Sequence, residues 1–240
     1  MYSRRTLSFR VAIYMLQNLS DAKGVVNKTA LTNLAKQIML QAIELGSSVD
    51  VVTGRITDAA VARRLRHLDV VFGCTDDQPG RAVLSRLAVW YLIPVIDMGF
   101  VIESDATGAI LGLYGRVTTL LPGSACLLCR GHISPDGIRN ESLPAEELER
   151  RVAEGYAPGL GDPDPSVGVY TTLTAMFGIN ALLERLIGYS PEAGRATELI
   201  IRLHELHLSR NNRSGNPRHF CGDSAKWGRG DCEPFLEMSW

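Results

Sequence analysis

Two short and almost wholly apolar runs near the middle of the chain most constrain its fold. They occupy residues 68–73 and 93–98, and a stretch with helical character, residues 81–91, separates them. Strands that are apolar on both faces are typical of the centre of a parallel sheet that helices cover on both sides. A strand, a helix and a second strand of this kind form a right-handed βαβ unit, so the sequence predicts an α/β fold.

Other segments extend the same alternation of strands and helices. The predicted strands are residues 9–16 and 49–52, and the predicted helices are residues 29–45, 58–65 and 171–186. The sequence therefore predicts a Rossmann-like, mostly parallel sheet with helices on both faces.

The pattern changes after residue 98. Glycine-punctuated, alternating segments within residues 99–119 predict antiparallel strands. Residues 134–166 are polar and rich in proline and glycine, with a charged helical patch at 145–153, and predict a long loop. Residues 198–208 predict a final strand or helix, and the polar tail that follows contains two cysteines.

The charge of the chain narrows the classes of partner. Its 25 basic and 26 acidic side chains leave a net charge of -1. Binding to nucleic acid requires clustered lysine and arginine that acidic residues do not offset. The near-equal numbers of the two charges therefore do not favour a nucleic-acid-binding function. No apolar run approaches the roughly 18 residues of a membrane span, and the basic start lacks the apolar stretch of a signal peptide. We expect a cytoplasmic protein whose partner is a small molecule or another protein.

Two carboxylates and an arginine follow the first apolar run. Asp76 and Asp77 come directly after the predicted strand, and Arg81 lies at the start of the next helix. Ligands of open α/β sheets bind beyond the carboxyl ends of the strands. A carboxylate there can hold magnesium, and an arginine can neutralise phosphate charge. Alternatively, Asp76 and Asp77 only cap the helix.

The cysteines suggest a metal site. The chain has five, Cys74, Cys126, Cys129, Cys221 and Cys232. The tight pair Cys126 and Cys129 fits two corners of a tetrahedral zinc site. A second such pair is absent, because serine stands where it would be completed after Cys221. Three interpretations remain open: zinc with Cys232 as the fourth ligand, a weakened three-cysteine site, or four buried thiols without metal. The five histidines form no recognisable ligand pattern.

A glycine-rich phosphate loop is missing from the sequence. The chain contains neither GxGxxG nor GxxxxGK, and Gln17, Asn18 and Leu19 follow the first predicted strand. A phosphate-binding turn is therefore not encoded in this sequence.

Three segments together resemble a known family. DVVFGCTDDQPGR, LAVWYLIPVIDMG and GRVTTLLPGSACLLC follow one another in the order found in the ThiF/MoeB/HesA superfamily of adenylyltransferases, which are related to ubiquitin-activating enzymes. The likeness covers residues 9–237. It implies a ThiF-type domain at residues 1–208 and a tail at 209–240 that completes a zinc site. It also implies ATP, Mg²⁺ and structural Zn²⁺ as cofactors, a homodimer, and adenylation of the C-terminal carboxylate of a ubiquitin-like or sulfur-carrier protein.

The resemblance assigns roles to individual residues of the nucleotide site. Asp76 matches the magnesium-binding, catalytic aspartate of the family, and Arg81 matches the arginine of the following helix. Asp77 stands where the family usually has asparagine. Either Lys28 or Lys36 matches a lysine of the cofactor site.

The resemblance also assigns the metal ligands. Cys126 and Cys129 match the first half of the structural zinc site, and Cys221 matches the start of the second half. Cys232 is the remaining candidate ligand.

The chain departs from the family in three respects. Asp21 occupies the place of a phosphate-contacting arginine, and the segment before Phe9 is too short for the family's first strand and glycine-rich loop. No cysteine lies between Cys129 and Cys221, so we expect no covalent thioester there. Two functional hypotheses follow: an adenylyltransferase-like enzyme, or a noncatalytic binding or scaffold module derived from one. A third possibility is that the start of the chain is misassigned or that a separately encoded partner supplies the glycine-rich loop.

Overall fold

The computed structural model describes most of the chain from residue 52 onward. The described residues are 11–15 (backbone only), 52, 54–75, 77–105, 107–144, 146–147, 150, 168–190 and 195–239. Asp76, Lys28 and Lys36 lie outside them, as do the predicted helix 29–45 and most of the predicted strand 49–52.

The described residues form one six-stranded sheet and five α-helices. The strands are β1 (Val11–Met15), β2 (Val70–Cys74), β3 (Val95–Ser104), β4 (Ile110–Leu120), β5 (Glu198–Arg202) and β6 (His207–Asn211), and they lie side by side in this order. The helices are α1 (Ala59–Arg64), α2 (Gln78–Trp90), α3 (Leu127–Arg130), α4 (Pro135–Glu141) and α5 (Gly168–Ile187). Among the described helices, none combines the length and the apolar character that a membrane span requires.

The sheet is mixed. β1, β2 and β3 pair in parallel, whereas β3 to β6 pair in antiparallel fashion. Because α2 crosses over between β2 and β3, these two strands run in the same direction. A short turn joins β3 to β4, in which the Asp105 carboxylate accepts hydrogen bonds from the backbone N–H groups of Thr107 and Ala109. The predicted α/β fold is confirmed, with parallel pairing confined to β1–β3 among the described strands.

Helices cover both faces of the sheet. On one face Val71 and Val95 pack with α2, whose buried side chains include Leu84 and Leu87. On the other face lies a second apolar cluster that packs against one side of α5. It contains Val70, Phe72, Ile96, Met98 and Val117. The alternation along β2 and β3 thus places their residues in two cores, as expected of strands buried on both faces.

The structure differs from the sequence prediction in three elements. β3 continues through residues 101–102, because Gly99 pairs with Arg116 without interrupting the ladder. The predicted loop 134–166 contains α4, where the Ser134 hydroxyl caps the helix by accepting from Gly137 N at 2.9 Å. The predicted final element forms two strands, β5 and β6.

Candidate functional site

The carboxyl end of β2 is shaped by the start of α2. The Asp77 side chain caps this helix, since its Oδ2 accepts a hydrogen bond from Gly80 N at 2.7 Å. Its Oδ1 accepts a second hydrogen bond, from the Thr75 hydroxyl. Capping orients the first turn of α2 and with it Arg81. Asp77 therefore caps α2, whereas Asp76 lies outside the described residues.

A buried carboxylate that sequence reasoning missed binds Arg81. Asp97 of β3 is fully buried, and its Oδ1 lies 3.5 Å from Arg81 Nε. Its Oδ2 lies 2.7 Å from Nη2 of Arg116 on β4. Both arginine side chains are largely buried. A carboxylate at this depth is stable only if it is paired, so these two contacts explain its presence in the otherwise apolar run 93–98.

A row of polar side chains continues from Arg116 across the sheet. Arg116 Nη1 donates to the Thr118 hydroxyl at 2.8 Å, and that hydroxyl donates to Glu198 Oε1 at 3.2 Å. Glu198 in turn accepts from Arg130 Nη1 at 3.1 Å and contacts His132 Nε2 at 2.7 Å. This row extends from the carboxyl end of β2 to the segment that contains Cys126 and Cys129. Its members are Arg81, Asp97, Arg116, Thr118, Glu198 and Arg130. We call it the polar row.

The polar row keeps Glu198 ionised. Burial alone would raise the pKa of this carboxyl, but the hydrogen bond from His132 and the charge of Arg130 outweigh that effect and lower the pKa to about 2. Arg130 also donates to the Thr197 hydroxyl and to Ala125 O, which leaves its guanidinium well satisfied in a buried position.

Helix α4 docks on the start of α2. Glu141 accepts hydrogen bonds from Gln78 N at 2.6 Å and from Gln78 Nε2 at 3.0 Å, while Gln78 Oε1 accepts from Ser134 N at 2.8 Å. Carboxylates are favoured at helix N-termini, so Glu141 and Asp77 together stabilise the first turn of α2. Burial raises the pKa of Glu141.

Cys74 lies at the end of β2 beside this site. Burial, together with the nearby charge of Asp97, raises the pKa of its thiol to about 11. The thiolate is the reactive form of cysteine, so the raised pKa disfavours the nucleophilic form of Cys74 at neutral pH.

A second candidate site lies at the far end of the polar row, where four side chains come together in the arrangement of a metal centre. They are Cys126, Cys129, His219 and Cys221, and their ligand atoms all lie within 4.8 Å of one another. His219 Nδ1 lies 3.3–3.5 Å from the three sulfur atoms, and the sulfur atoms of Cys129 and Cys221 are 3.7 Å apart. A tetrahedral zinc site has sulfur–sulfur edges of about 3.8 Å and sulfur–nitrogen edges of about 3.6 Å. The residues therefore fit a Cys₃His zinc site.

Local backbone features present these ligands. Cys126 precedes the short helix α3, and Gly131 ends it in the left-handed conformation with φ 80°. In the C-terminal tail, Gly222 N donates a hydrogen bond to His219 O at 2.9 Å and closes a tight turn around Cys221. A hydrogen bond from Cys126 lowers the pKa of Cys221, which favours the thiolate form that binds metal.

Cys232 lies apart from this cluster. Its Sγ accepts a hydrogen bond from Trp90 Nε1 at 3.1 Å on α2. The structure thus brings together three of the four cysteines predicted as ligands and adds His219, which the sequence analysis did not single out. The available signal was the spacing His219-x-Cys221, in which a second ligand precedes the cysteine by two residues.

Comparisons with known proteins agree with this architecture. The model of the ThiF family matches residues 10–221. A search of curated proteins finds no match to this sequence.

Three of the similar solved structures are of MccB. Escherichia coli MccB with ATP is 13% identical with a TM-score of 0.54, over 87% of this chain and 57% of that one. E. coli MccB with MccA-N7isoASN is 12% identical with a TM-score of 0.57, over 89% of this chain and 60% of that one. The Microcin C7 biosynthetic enzyme MccB with N-formylated MccA is 13% identical with a TM-score of 0.56, over 88% of this chain and 60% of that one. The chain thus spans less than two thirds of the length of these relatives, and at this identity the likeness concerns the fold.

Proposed function

Because the chain belongs to the ThiF family, we propose that it is an ATP-dependent adenylyltransferase acting on a carboxylate of a peptide or carrier protein. In this reaction a carboxylate oxygen of the substrate attacks the α-phosphorus of ATP. The bond from that phosphorus to the bridging oxygen of the β-phosphate breaks, and pyrophosphate leaves with the bond's electron pair. The product is an acyl adenylate, in which the carbonyl is activated. We propose a ubiquitin-like or sulfur-carrier protein as the substrate.

The arrangement at the carboxyl end of β2 carries this proposal. Arg81 is held there by Asp97, at the start of a helix that Asp77 caps. A fixed guanidinium stabilises the negative charge that develops on the phosphate groups in the transition state. Mg²⁺, with Asp76 as its ligand and Asp77 beside it, would neutralise further phosphate charge. Lys28 or Lys36 is the proposed additional cofactor-binding residue.

The solved relatives support ATP and a peptide as ligands of this fold. MccB structures contain ATP in one case and MccA in others. The family match over residues 10–221 supports the same assignment.

We further propose a structural Zn²⁺ bound by Cys126, Cys129, Cys221 and His219. The metal would join the segment after β4 to the C-terminal tail. We propose residues 1–208 as the ThiF-type domain and residues 209–240 as this tail. Cys232 is the alternative fourth ligand from the sequence. The family resemblance also supports a homodimer. The cytoplasmic location stays a prediction from the sequence.

Pyrophosphate exchange tests the proposed activity. Purified protein with ATP, Mg²⁺ and a panel of carrier proteins and peptides with free C-termini is expected to return labelled pyrophosphate to ATP. Asp76→Asn is expected to reduce the exchange by about 100-fold or more, the usual effect of removing one group that stabilises the transition-state charge. The same peptides as C-terminal amides should give no exchange, because they lack the attacking carboxylate.

The rival hypothesis makes the opposite prediction. A noncatalytic scaffold derived from the family would give no exchange with any member of the panel and no ATP binding by calorimetry. That combination would contradict the proposed enzyme function.

A further inference from the structure

We propose that Phe220 and Arg86 are positioning residues of the zinc site. The Phe220 ring holds the imidazole of His219 in its ligand orientation, and Arg86 on α2 holds the Phe220 ring. Neither side chain binds the metal itself. The inference rests on the zinc site proposed above and is independent of the proposed adenylyltransferase activity.

The imidazole of His219 lacks the hydrogen bond that usually orients a metal-binding histidine. Its Nδ1 lies 3.3–3.5 Å from the three sulfur atoms, so Nε2 is the nitrogen left to donate. Metal-binding histidines usually donate this second N–H to a carboxylate or carbonyl oxygen, which fixes the ring. In the part of the chain that the structure describes, no acceptor is recorded for His219 Nε2. The orientation of the ring must therefore come from packing.

Phe220 supplies this packing. The centroid of its ring lies 4.2 Å from that of His219, with an angle of 41° between the ring planes. The Phe220 ring also meets the fully buried Trp90 ring edge-on at 5.3 Å, and it lies 4.9 Å from Cζ of Arg86. Aromatic pairs at these distances favour defined mutual orientations, and a cation over the ring adds attraction. Two side chains of α2 thus fix the Phe220 ring, and this ring in turn restrains His219.

Arg86 is itself held in place. Its Nη1 donates a hydrogen bond to Leu236 O at 2.8 Å, and its Cζ lies 5.3 Å from the centroid of the Trp90 ring. Among the described residues, Arg86 forms no direct ion pair with a carboxylate. Glu237, on the same tail, instead binds Lys226 through both carboxylate oxygens at 2.7 Å. The guanidinium group therefore contacts the two aromatic rings rather than a carboxylate.

The charge of Arg86 also suits a metal-bound cluster. A Zn²⁺ ion with three thiolates and a neutral imidazole carries one net negative charge. A cation in poorly solvated surroundings nearby stabilises the thiolate form of the ligands. Burial lowers the pKa of Arg86, and the charges of Glu237, Cys126 and Cys232 oppose that effect. The influence of Cys126 agrees with a guanidinium group that lies beside the cluster.

The rate of zinc release tests both roles. The zinc-loaded full chain would be mixed with an excess of a chromogenic chelator, and the first-order release of the metal would be followed by absorbance. Phe220→Leu and Arg86→Gln are each expected to release zinc about tenfold faster than the wild type, the lower end of the effect that residues behind the ligands have on metal affinity. Phe220→Tyr keeps the ring and Arg86→Lys keeps the cation, so both should release zinc at close to the wild-type rate.

Arg63→Gln is the matched control. Arg63 also lies over an aromatic ring of the tail, with its Cζ 4.3 Å from the centroid of Phe235, but Phe235 adjoins none of the four proposed ligands along the chain. This variant should release zinc at the wild-type rate. Cobalt-substituted protein gives a second measurement: Phe220→Leu is expected to shift or broaden the d–d absorption bands of Co²⁺, because the imidazole loses its fixed orientation, whereas Arg63→Gln should leave them unchanged.

Three results would overturn the inference. The first is wild-type release rates in Phe220→Leu and Arg86→Gln, each shown to be folded by its thermal unfolding transition in excess zinc. The second is an equal acceleration in Arg63→Gln, which would show that loosening the tail is sufficient. The third is wild-type protein without bound zinc, which would also contradict the proposed zinc site. Absence of pyrophosphate exchange would contradict only the proposed enzyme function, because zinc release does not depend on turnover.

Discussion

Replacing Cys221 with serine is expected to remove zinc from the protein and to lower its melting temperature by about 10 °C or more. The expected loss is large because structural zinc sites contribute about 10 kcal/mol in small peptides, and the proposed ligands join the C-terminal tail to the segment around α3. Metal analysis of the purified variant and a thermal unfolding curve would measure both effects. His219→Ala is expected to act in the same direction, since its Nδ1 lies within 3.5 Å of all three sulfur atoms.

Cys232→Ser is the matched control for these two variants. Its thiol contacts Trp90 rather than the cluster, so this variant should retain one equivalent of zinc. Loss of zinc from Cys232→Ser together with its retention in His219→Ala would identify Cys232 as the fourth ligand instead. Wild-type protein with far less than one equivalent of metal would contradict the site altogether.

Glu198→Gln is expected to lower the free energy of unfolding by about 3–5 kcal/mol, the usual cost of removing one partner of a buried ion pair. The substitution preserves the size of the side chain but leaves the charge of Arg130, whose side chain is 2% exposed, without its carboxylate. Urea unfolding at pH 7 would measure the change from the shift in midpoint. Glu205→Gln is the control, because the Glu205 side chain, which pairs with Arg202, is 51% exposed. This substitution should lower the free energy of unfolding by less than about 1 kcal/mol.

An equal loss of stability in the two variants would show that Glu198 makes no special contribution. In that case the polar row would not be an energetically important part of the core.

The same carboxylate predicts how stability depends on pH. The pKa of Glu198 is lowered from 4.5 to about 2 in the folded protein. Because the folded pKa lies below the unfolded one, this stabilisation is present above about pH 4.5 and is lost as the pH falls toward 2, by about 3 kcal/mol in total. Urea midpoints of the wild type between pH 7 and pH 2 would show the decline. Glu198→Gln should show a smaller decline, and an identical one would contradict the assignment.

The sequence located one part of the candidate site and missed another for a physical reason. Asp77 and Arg81 are close in sequence to the strand that they follow, so a local motif reveals them. Asp97 and Arg116 meet only because β3 and β4 pair in a particular register, with Asp97 opposite Thr118. A single sequence does not determine that register. The available signal was a lone aspartate inside the apolar run 93–98, since a charge at such a position requires a partner.

The metal site shows the same distinction between local and distant partners. Cys126 and Cys129 form a local pair that spacing alone predicts. The choice between His219 and Cys232 depends on how the tail folds back on α3, where His219 returns to the cysteines and Cys232 contacts α2 instead. Helix α4 was missed because its capping serine, proline and glycine are also the residues typical of a loop.

The polar row has a consequence for how this sequence can diverge. Five of its members, Asp97, Arg116, Thr118, Glu198 and Arg130, each pair with a neighbour in the row. A change at one of these positions therefore leaves a buried charge or hydrogen-bonding group unpaired at the next. Neutral drift at a single position is therefore costly, whereas paired replacements by apolar residues of similar volume can be tolerated. In related sequences, these positions on β3, β4, β5 and α3 are expected to covary, although they are far apart along the chain.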